Sequence, residues 1–426
     1  MKGPSIGLRP IWLFALLVVT SSISSCSRTE SISENGSKPV TADPVIHREY
    51  GTPNPPETLT IRSQVLDEDR RVYVQLPEGY DNSHTSYPVV VVLDGEWLFE
   101  LVRAHVRFHS EYEVMDVSIP KMIVVGIENI DRDNDYVPTE DPNDPPDFDT
   151  AGEADAFLRF LDVELFPLLD REYRTTPART VVGWSFGGLA AMYSAVAMPD
   201  LFNSHLCIGP AIWWDGDLVV EMYREASFDQ PKRMVVTLGS SEEGGWVHTS
   251  TTRLLDQLDR EPIAGLELTH FVIDGVGHSW GIPSAIDRGL RELFRGFIPA
   301  EEVSSSSLVE IEAYYKALSE TWGFHVAPPI SVMQSLAMKE HSDGNVEKAI
   351  TTLELLIAYE PDAALAHYYL GKYNEGLARQ ERALECYRNA LAAELRRDVP
   401  KGIYLQAYRR AVEQAEIEMS EGESQS

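Results

Sequence analysis

The chain has 426 residues, 43% of them hydrophobic, so it is long enough for more than one domain with a sizeable core. Its formal net charge of −31 argues against nucleic acid and anionic lipid surfaces as partners. Besides Cys26 the only cysteines are Cys207 and Cys386, which fall in different predicted domains, so a disulfide framework is not expected.

The first 25 residues have the pattern of an export signal. The apolar run 11–19 follows basic residues and is too short to span a membrane. The small residues before Cys26 resemble a bacterial lipoprotein cleavage box, which implies that Cys26 is lipidated and that this lipid alone anchors the protein in the periplasm or at the outer membrane. A plain secretory signal with an incidental cysteine is the alternative. Residues 26–50 are polar and aperiodic, as in a flexible tether.

Residues 88–93 give a strong strand signal. All six are apolar, which is typical of a buried parallel strand. The strand runs into Asp94, Gly95 and Glu96, where a glycine lets the backbone approach a ligand closely. We therefore expect the N–H of Glu96 to be offered to a ligand, and an ordinary strand-to-helix connection is the alternative.

The segment 131–149 is rich in aspartate and proline. Its alternating acidic residues suggest a calcium loop, but Tyr136 stands where such a loop needs glycine and Pro142 where it needs glutamate. We predict a long irregular loop near a pocket mouth instead, with Arg132 as its cation. No metal site is predicted.

The stretch 183–187 has the form G-x-S-x-G. It follows an apolar, β-branched lead-in and runs into a helical pattern, so it predicts a strand, a sharp turn and a helix. The flanking glycines allow that turn without side-chain clashes, and Ser185 is then exposed as a nucleophile. A tight glycine turn without chemistry is the alternative.

The base is expected downstream, because folds that carry this motif place nucleophile, acid and histidine in that chain order. His278 lies in a glycine-rich loop after the alternating strand 268–273, from which an imidazole can reach the serine. His270 is inside the strand pattern, and His248 lacks such a loop, so both are weaker candidates.

The acid is expected after the apolar strand 233–238. Glu242 is favoured there over its neighbour Glu243 as the carboxylate that orients the imidazole. The remaining candidate acids are Asp215, Asp217 and Asp274. Acyl transfer also needs two backbone N–H donors for the oxyanion, and those of Phe186 and Glu96 are the candidates.

Residues 73–299 resemble the α/β-hydrolase esterases of the enterochelin esterase and esterase D type. The resemblance is carried by residues 93–96, 124–127, 154–161, 183–188, 212–215 and 277–279, with Arg132, Asp133, Pro138, Tyr173 and Arg174. It implies a doubly wound, mostly parallel sheet, Ser185 as nucleophile, His278 as base, an acid after the strand ending at Leu238, and a small-molecule ester as substrate.

The chain departs from that family at two places. Trp184 stands where these esterases usually have histidine, and residues 209–211 replace an expected Ser-Pro-Ser. Both changes alter what lines the pocket, so the substrate does not transfer from the family. The predicted pocket residues are Trp97, Arg132, Trp184, Trp213 and Trp214.

Beyond residue 299 the strand patterns vanish. Ala349 and Ala383 lie 34 residues apart, as do Ala337 and Gly371, which is the tetratricopeptide period. The region therefore resembles tetratricopeptide (TPR) repeats, with residues 401–419 as a capping helix. This implies a groove for a protein partner; a stabilising appendage or a dimer contact is the alternative.

The predicted segments are a signal peptide at 1–25, a tether at 26–50, an α/β-hydrolase domain at 51–299, a connector at 300–329 that includes the polar, serine-rich stretch 301–307, and a small all-α TPR-like domain at 330–420. Because repeats contact only their neighbours, a chain ending near Pro299 is expected to stay soluble and active. It would aggregate if the repeats instead cover an apolar patch of the hydrolase.

The sequence thus predicts a lipid-anchored serine hydrolase of the bacterial cell envelope that cleaves carboxylic esters through an acyl-enzyme. Siderophore-type esters and small acyl or carbohydrate esters are the candidate substrates, and no cofactor is expected. The alternative is a catalytically silent hydrolase-like scaffold whose repeats bind envelope proteins.

Overall fold

The computed structural model describes residues 55–111, 117–140, 150–397 and 400–425, which belong to one compact unit, Gly51–Ser426. The predicted signal peptide, Cys26 and the tether lie outside the described residues. Among the described residues, none of the helices has the length and apolarity that crossing a membrane requires.

A sheet of eight strands forms the centre of the described chain. The strands are β1 (Glu57–Arg62), β2 (Asp69–Gln75), β3 (Tyr87–Val92), β4 (Ile123–Ile127), β5 (Thr175–Trp184), β6 (Ser204–Ile208), β7 (Lys232–Gly239) and β8 (Leu266–Ile273). Their order is β1-β2-β4-β3-β5-β6-β7-β8; β3 to β8 are parallel, and β1 and β2 add an antiparallel edge. This confirms the predicted mostly parallel sheet of an α/β-hydrolase-like fold, whereas the antiparallel edge was not predicted.

Helices cover both faces of this sheet. They are α1 (Gly95–Glu111), α2 (Arg132–Tyr136), α3 (Ala154–Phe160), α4 (Phe166–Glu172), α5 (Phe186–Ala197), α6 (Trp214–Arg224), α7 (Trp246–Arg260) and α8 (Ile282–Leu293). Alternate residues of β3 point to opposite faces of the sheet. Val89 and Val91 belong to the core formed with α3 to α7, whereas Val90 and Val92 belong to the core formed with α1 and α8. Because both faces are buried, the strand is apolar throughout.

The remaining helices are α9 (Glu301–Ser304), α10 (Leu308–Trp322), α11 (Ile330–Ser342), α12 (Val346–Tyr359), α13 (Ala364–Gly376), α14 (Gln380–Arg396) and α15 (Gly402–Gln425). The segment expected to be a connector, 300–329, therefore contains two helices. Its serines mark a helix start, since Ser307 and Glu310 form the capping box of α10.

The C-terminal helices share a core with the hydrolase. Tyr315 and Trp322 of α10 are buried, and Trp322 packs edge-on against Phe294 with ring centroids 5.6 Å apart. The same apolar cluster continues from Val90 of the sheet to residues of α11, α12 and α13. The expectation of an exposed, poorly packed boundary is therefore wrong, because the aromatic residues of 308–324 pair with those after α8.

Candidate active site

Ser185 lies in the turn between β5 and α5. Its backbone has φ 58° and ψ −115°, a left-handed conformation that non-glycine residues rarely adopt and that is typical of the sharp turn presenting a nucleophile. Its N–H donates to the carbonyl of Ile208 at 2.9 Å. A Cβ on Gly183 would lie 2.0 Å from the carbonyl oxygen of Gly187, so the turn requires glycine there.

His278 and Glu242 are brought together by the ends of two neighbouring strands. Nδ1 of His278 lies 2.8 Å from Oε2 of Glu242, and the other carboxylate oxygen accepts from the N–H of Gly239 at 2.9 Å. Glu242 ends a 3₁₀ turn directly after β7, and His278 lies in the loop after β8. With Nδ1 occupied by the carboxylate, Nε2 is the imidazole nitrogen that can serve the serine.

The Glu242 carboxylate is held in its charged form. Burial raises its pKa, but hydrogen bonds from His278 and from the Gly239 N–H outweigh burial, and the pKa lies below the usual value for glutamate. Glu243, the competing acid, is exposed. A charged, oriented carboxylate can stabilise an imidazolium as it forms.

The other candidate acids have partners elsewhere. Asp215 accepts from the Thr139 hydroxyl, Asp217 pairs with Arg253, and Asp274 accepts from the Ser240 hydroxyl. Of the two weaker candidate bases, His270 lies in β8 with Asp259, and His248 lies in α7, close enough to Glu242 to lower the pKa of that carboxyl slightly further.

Trp184 holds the histidine loop in place. Its indole Nε1 donates to the carbonyl of His278 at 3.1 Å, and its ring centroid lies 5.1 Å from that of the imidazole. The residue that replaces the family's usual histidine thus braces the candidate base directly. This role was not visible in the sequence, because the two residues lie far apart along the chain.

The turn after β3 adjoins the start of α5. A Cβ on Gly95 would lie 2.6 Å from the backbone nitrogen of Ile127, so that close approach depends on glycine, and a Cβ on Gly187 would make a tight contact of 3.1 Å with Oδ2 of Asp94. The N–H groups of Trp97 and Leu98 both donate to the carbonyl of Asp94. Glu96 lies in the first turn of α1, and Phe186 is the first residue of α5.

The charge of Arg132 is paired inside the protein, and its side chain connects two backbone segments. Its guanidinium binds both carboxylate oxygens of the fully buried Asp94, at 2.6 and 2.9 Å, and donates to the carbonyl of Trp184 at 2.9 Å. Burial lowers its pKa, but the pairing with Asp94 outweighs burial and raises it. Arg132 therefore links the turn after β3 to the nucleophile strand, and Asp94 neutralises the charge that the sequence assigned to the pocket.

Two residues of this hydrogen-bond network around Arg132 were not predicted from the sequence. Asp94 was treated only as part of the turn, and Asn129 not at all, although its side-chain amide donates to Asp94 at 2.7 Å and to Glu96 at 3.1 Å. The available signal was a charged residue placed directly after a wholly buried strand, because such a carboxylate requires partners.

The predicted aromatic pocket divides into core and exposed rings. Trp214 is 1% exposed and donates its indole N–H to the carbonyl of Thr139, so it belongs to the core. Trp213 is half-buried between Phe186 and Trp246, with ring centroids 6.2 and 5.4 Å away. Trp97 and Trp246 are 59% and 73% exposed.

A separate cleft lies between the hydrolase and the C-terminal helices. It is open to solvent, and its walls include Tyr87, Lys121, Phe324 and Pro361. Ser185, His278 and Glu242 do not line it. The candidate active site is therefore separate from this cleft.

A family model described as a putative esterase matches residues 63–264. Ferri-bacillibactin esterase BesA of Bacillus subtilis is 25% identical over 225 residues, which cover 48% of this chain and 78% of that protein. Among solved structures, an IroE-like serine hydrolase from Shewanella oneidensis is 27% identical with a TM-score of 0.62, over 70% of this chain and 97% of its own.

An uncharacterised protein from Capnocytophaga ochracea has a similar fold over 85% of this chain and 99% of its own, with 18% identity and a TM-score of 0.54. The family model and the relatives support an esterase of the enterochelin and siderophore esterase type, and hence a hydrolase.

Proposed function

We propose that this chain is a serine carboxylic ester hydrolase that works through an acyl-enzyme, with Ser185 as nucleophile, His278 as general base and Glu242 as the orienting acid. The observation that carries the proposal is the left-handed serine turn combined with the 2.8 Å pair between His278 Nδ1 and Glu242 Oε2. A serine hydroxyl is a weak nucleophile unless it is exposed next to a base that a carboxylate orients, and these two features supply the exposed serine and the oriented base.

In this mechanism Ser185 Oγ attacks the ester carbonyl carbon, and His278 Nε2 takes the hydroxyl proton. The backbone N–H groups of Phe186 and Glu96 bind the oxyanion of the tetrahedral intermediate. The imidazolium then passes its proton to the leaving alcohol, so the acyl group remains on Ser185. Water attacks the acyl-enzyme and His278 again takes a proton as base; the imidazolium then returns that proton to Ser185 Oγ as the bond to the acyl carbon breaks, which releases the acid and restores the serine hydroxyl.

We propose uncharged or weakly charged esters with an aromatic or apolar acyl group as the preferred substrates. The Arg132 guanidinium is neutralised by Asp94, so it does not supply the charge that a strongly anionic ferric siderophore calls for. Exposed rings of Trp97 and Trp246 offer stacking surfaces instead. Siderophore-type esters and small acyl or carbohydrate esters both remain within this class when they are free of iron.

For the C-terminal helices we propose a TPR-like pair of repeats. The helix pairs α11/α12 and α13/α14 begin 34 residues apart, at Ile330 and Ala364 for the first helices. A Cβ on Gly371 would lie 2.5 Å from the ring of Tyr387, which is the close packing that the repeat pattern predicts. A protein partner in the repeat groove is part of this proposal, as are export and lipidation at Cys26.

Labelling with a fluorophosphonate tests the serine mechanism. The probe forms a phosphorus–oxygen bond with an activated serine, releases fluoride, and should modify the peptide that contains Ser185 in the wild-type chain. The variant Ser185→Ala should not be labelled, while Ser194→Ala, in the helix that follows the turn, should be labelled as the wild type is, because the Ser194 hydroxyl donates to the carbonyl of Ala191. Peptide mass spectrometry identifies the site.

Absence of labelling in a folded wild-type chain would reject the serine mechanism and favour the silent scaffold. Labelling that persists in Ser185→Ala would place the nucleophile elsewhere.

Two glutamate variants test the acid. Glu242→Gln should lower kcat by about 10²–10⁴ with little change in KM, since it removes the charge that stabilises the imidazolium. Glu243→Gln should leave both constants nearly unchanged, because that side chain is exposed. Steady-state kinetics on a short-chain p-nitrophenyl ester measure both. The reverse pattern would move the role to Glu243.

A further inference from the structure

Three metal-ligating side chains meet on the face of the sheet covered by α1 and α8. His105 and His109 are one helical turn apart in α1, so both point toward α8, where Asp287 lies. Asp287 Oδ1 is 2.8 Å from His109 Nε2 and 4.0 Å from His105 Nδ1. None of the three belongs to the proposed triad.

The spacing of these atoms suits a small cation. One ligand atom from each residue lies within 4.8 Å of the other two. In a tetrahedral zinc site with bonds of about 2.1 Å, ligand atoms lie about 3.4 Å apart. The 2.8 Å separation between His109 Nε2 and Asp287 Oδ1 is shorter than that value, and the 4.0 Å separation between His105 Nδ1 and Asp287 Oδ1 is longer, so an ion bound by all three would lengthen the first contact and shorten the second.

Outer hydrogen bonds orient two of the ligands. His109 Nδ1 lies 3.0 Å from the Ser118 hydroxyl, which leaves Nε2 directed at Asp287. The second oxygen of Asp287 accepts from Arg291 at 2.7 Å, which leaves Oδ1 directed at the histidines. Metal sites in proteins commonly hold their histidine and carboxylate ligands by such second contacts.

The cluster lies mostly inside the protein and has one accessible side. His109 is buried and His105 half-buried, whereas Asp287 is partly accessible, so an ion could enter from the Asp287 side. Two histidines and one carboxylate form a donor set typical of zinc, with a fourth position left for water.

We propose that His105, His109 and Asp287 bind a divalent cation of the zinc class, and that this ion joins α1 to α8. The first of these helices begins at the turn carrying Glu96, and the second follows the loop carrying His278. The ion therefore stabilises the packing of the two helices that lie behind the proposed oxyanion and histidine loops.

Zinc binding to the full chain tests this site directly. Protein freed of metal by dialysis against a chelator should take up one zinc ion per chain at this site, and its Tm should rise by several degrees with added zinc chloride, because the ion binds the folded state only. Cobalt(II) should give the visible d–d bands of a four-coordinate ion. His105→Gln and Asp287→Asn should each weaken binding by at least about tenfold and remove the Tm rise.

The pair formed by His270 and Asp259 provides the control for this experiment. His270 lies 3.2 Å from Asp259, and no third ligand joins them among the residues that the structure describes, so His270→Ala should keep the full zinc response. His278→Ala should keep it too, which separates this site from zinc bound at the proposed catalytic histidine and makes the result independent of the serine mechanism. No Tm rise in the wild type, or a rise that survives both His105→Gln and Asp287→Asn, would overturn the proposal and leave a hydrogen-bonded histidine–aspartate pair.

Discussion

Ser185→Ala and His278→Ala should each lower kcat/KM for a short-chain p-nitrophenyl ester by about 10⁴-fold or more. The serine turn supplies the nucleophile, and Nε2 of His278 is its only proton acceptor in the proposed mechanism, since Nδ1 is bound to Glu242. Because the two groups act as one unit, the double variant should be no more than slightly worse than either single variant. Purified variants, compared in steady-state assays, give these ratios.

Matched substitutions guard against a general loss of structure. Ser194→Ala and His270→Ala change the same residue types at positions outside the site, and they should retain nearly full activity. All four variants should unfold at similar temperatures. Substantial activity in Ser185→Ala would mean that another group attacks the ester, and additive losses in the double variant would mean that the serine and histidine work independently.

The parts of this site that lie on strong local patterns could be predicted from the sequence. The buried strand β3 and the G-x-S-x-G turn each depend on residues within a short window, where sterics and burial decide the conformation. The preference for Glu242 over Glu243 was a choice between adjacent residues. In the structure, Glu242 ends the 3₁₀ turn after β7 and its Oε2 lies 2.8 Å from Nδ1 of His278, whereas Glu243 is exposed.

The part of the site that could not be predicted depends on contacts between distant segments. Arg132 looked like a pocket cation because its neighbours in sequence are acidic. Its actual partner, Asp94, lies 38 residues away, and it is reached only after β4 has been placed beside β3. Burial of that carboxylate then requires a charged partner, which fixes Arg132 as a structural brace.

The division of the chain into a hydrolase and separable repeats failed for a similar reason. Local composition marked residues 301–307 as polar, but composition does not show what the aromatic residues after them contact. In the structure, the hydroxyls of Tyr314 and Tyr315 donate to the carbonyls of Gly296 and Phe297, at 2.6 Å each. Arg233 of β7 also lies over the Trp322 ring, 4.6 Å from its centroid.

These contacts reverse the expectation for a truncated chain. A protein ending at Pro299 would expose Phe294 and Phe297, which are buried here, together with the apolar surface that α10 and α11 cover. Exposed patches of this kind drive aggregation. The truncated chain should therefore be mostly insoluble when expressed, and its soluble fraction should have lost most of its esterase activity.

A shorter truncation and a point variant make this prediction specific. Ending the chain at Pro400 removes α15 together with Tyr408 and Ala415, and among the described residues it uncovers only the two small clusters that these residues complete, so that protein should stay soluble with an unchanged kcat/KM. Trp322→Ala should lower stability by about 3–5 kcal/mol, because it removes a large buried ring that contacts Phe294, Phe297 and Arg233. Size-exclusion chromatography, thermal melts and ester kinetics measure the three proteins against the wild type. A soluble, fully active chain ending at Pro299 would show that the hydrolase folds without the helices, and the shared core would then be a contact between independent domains.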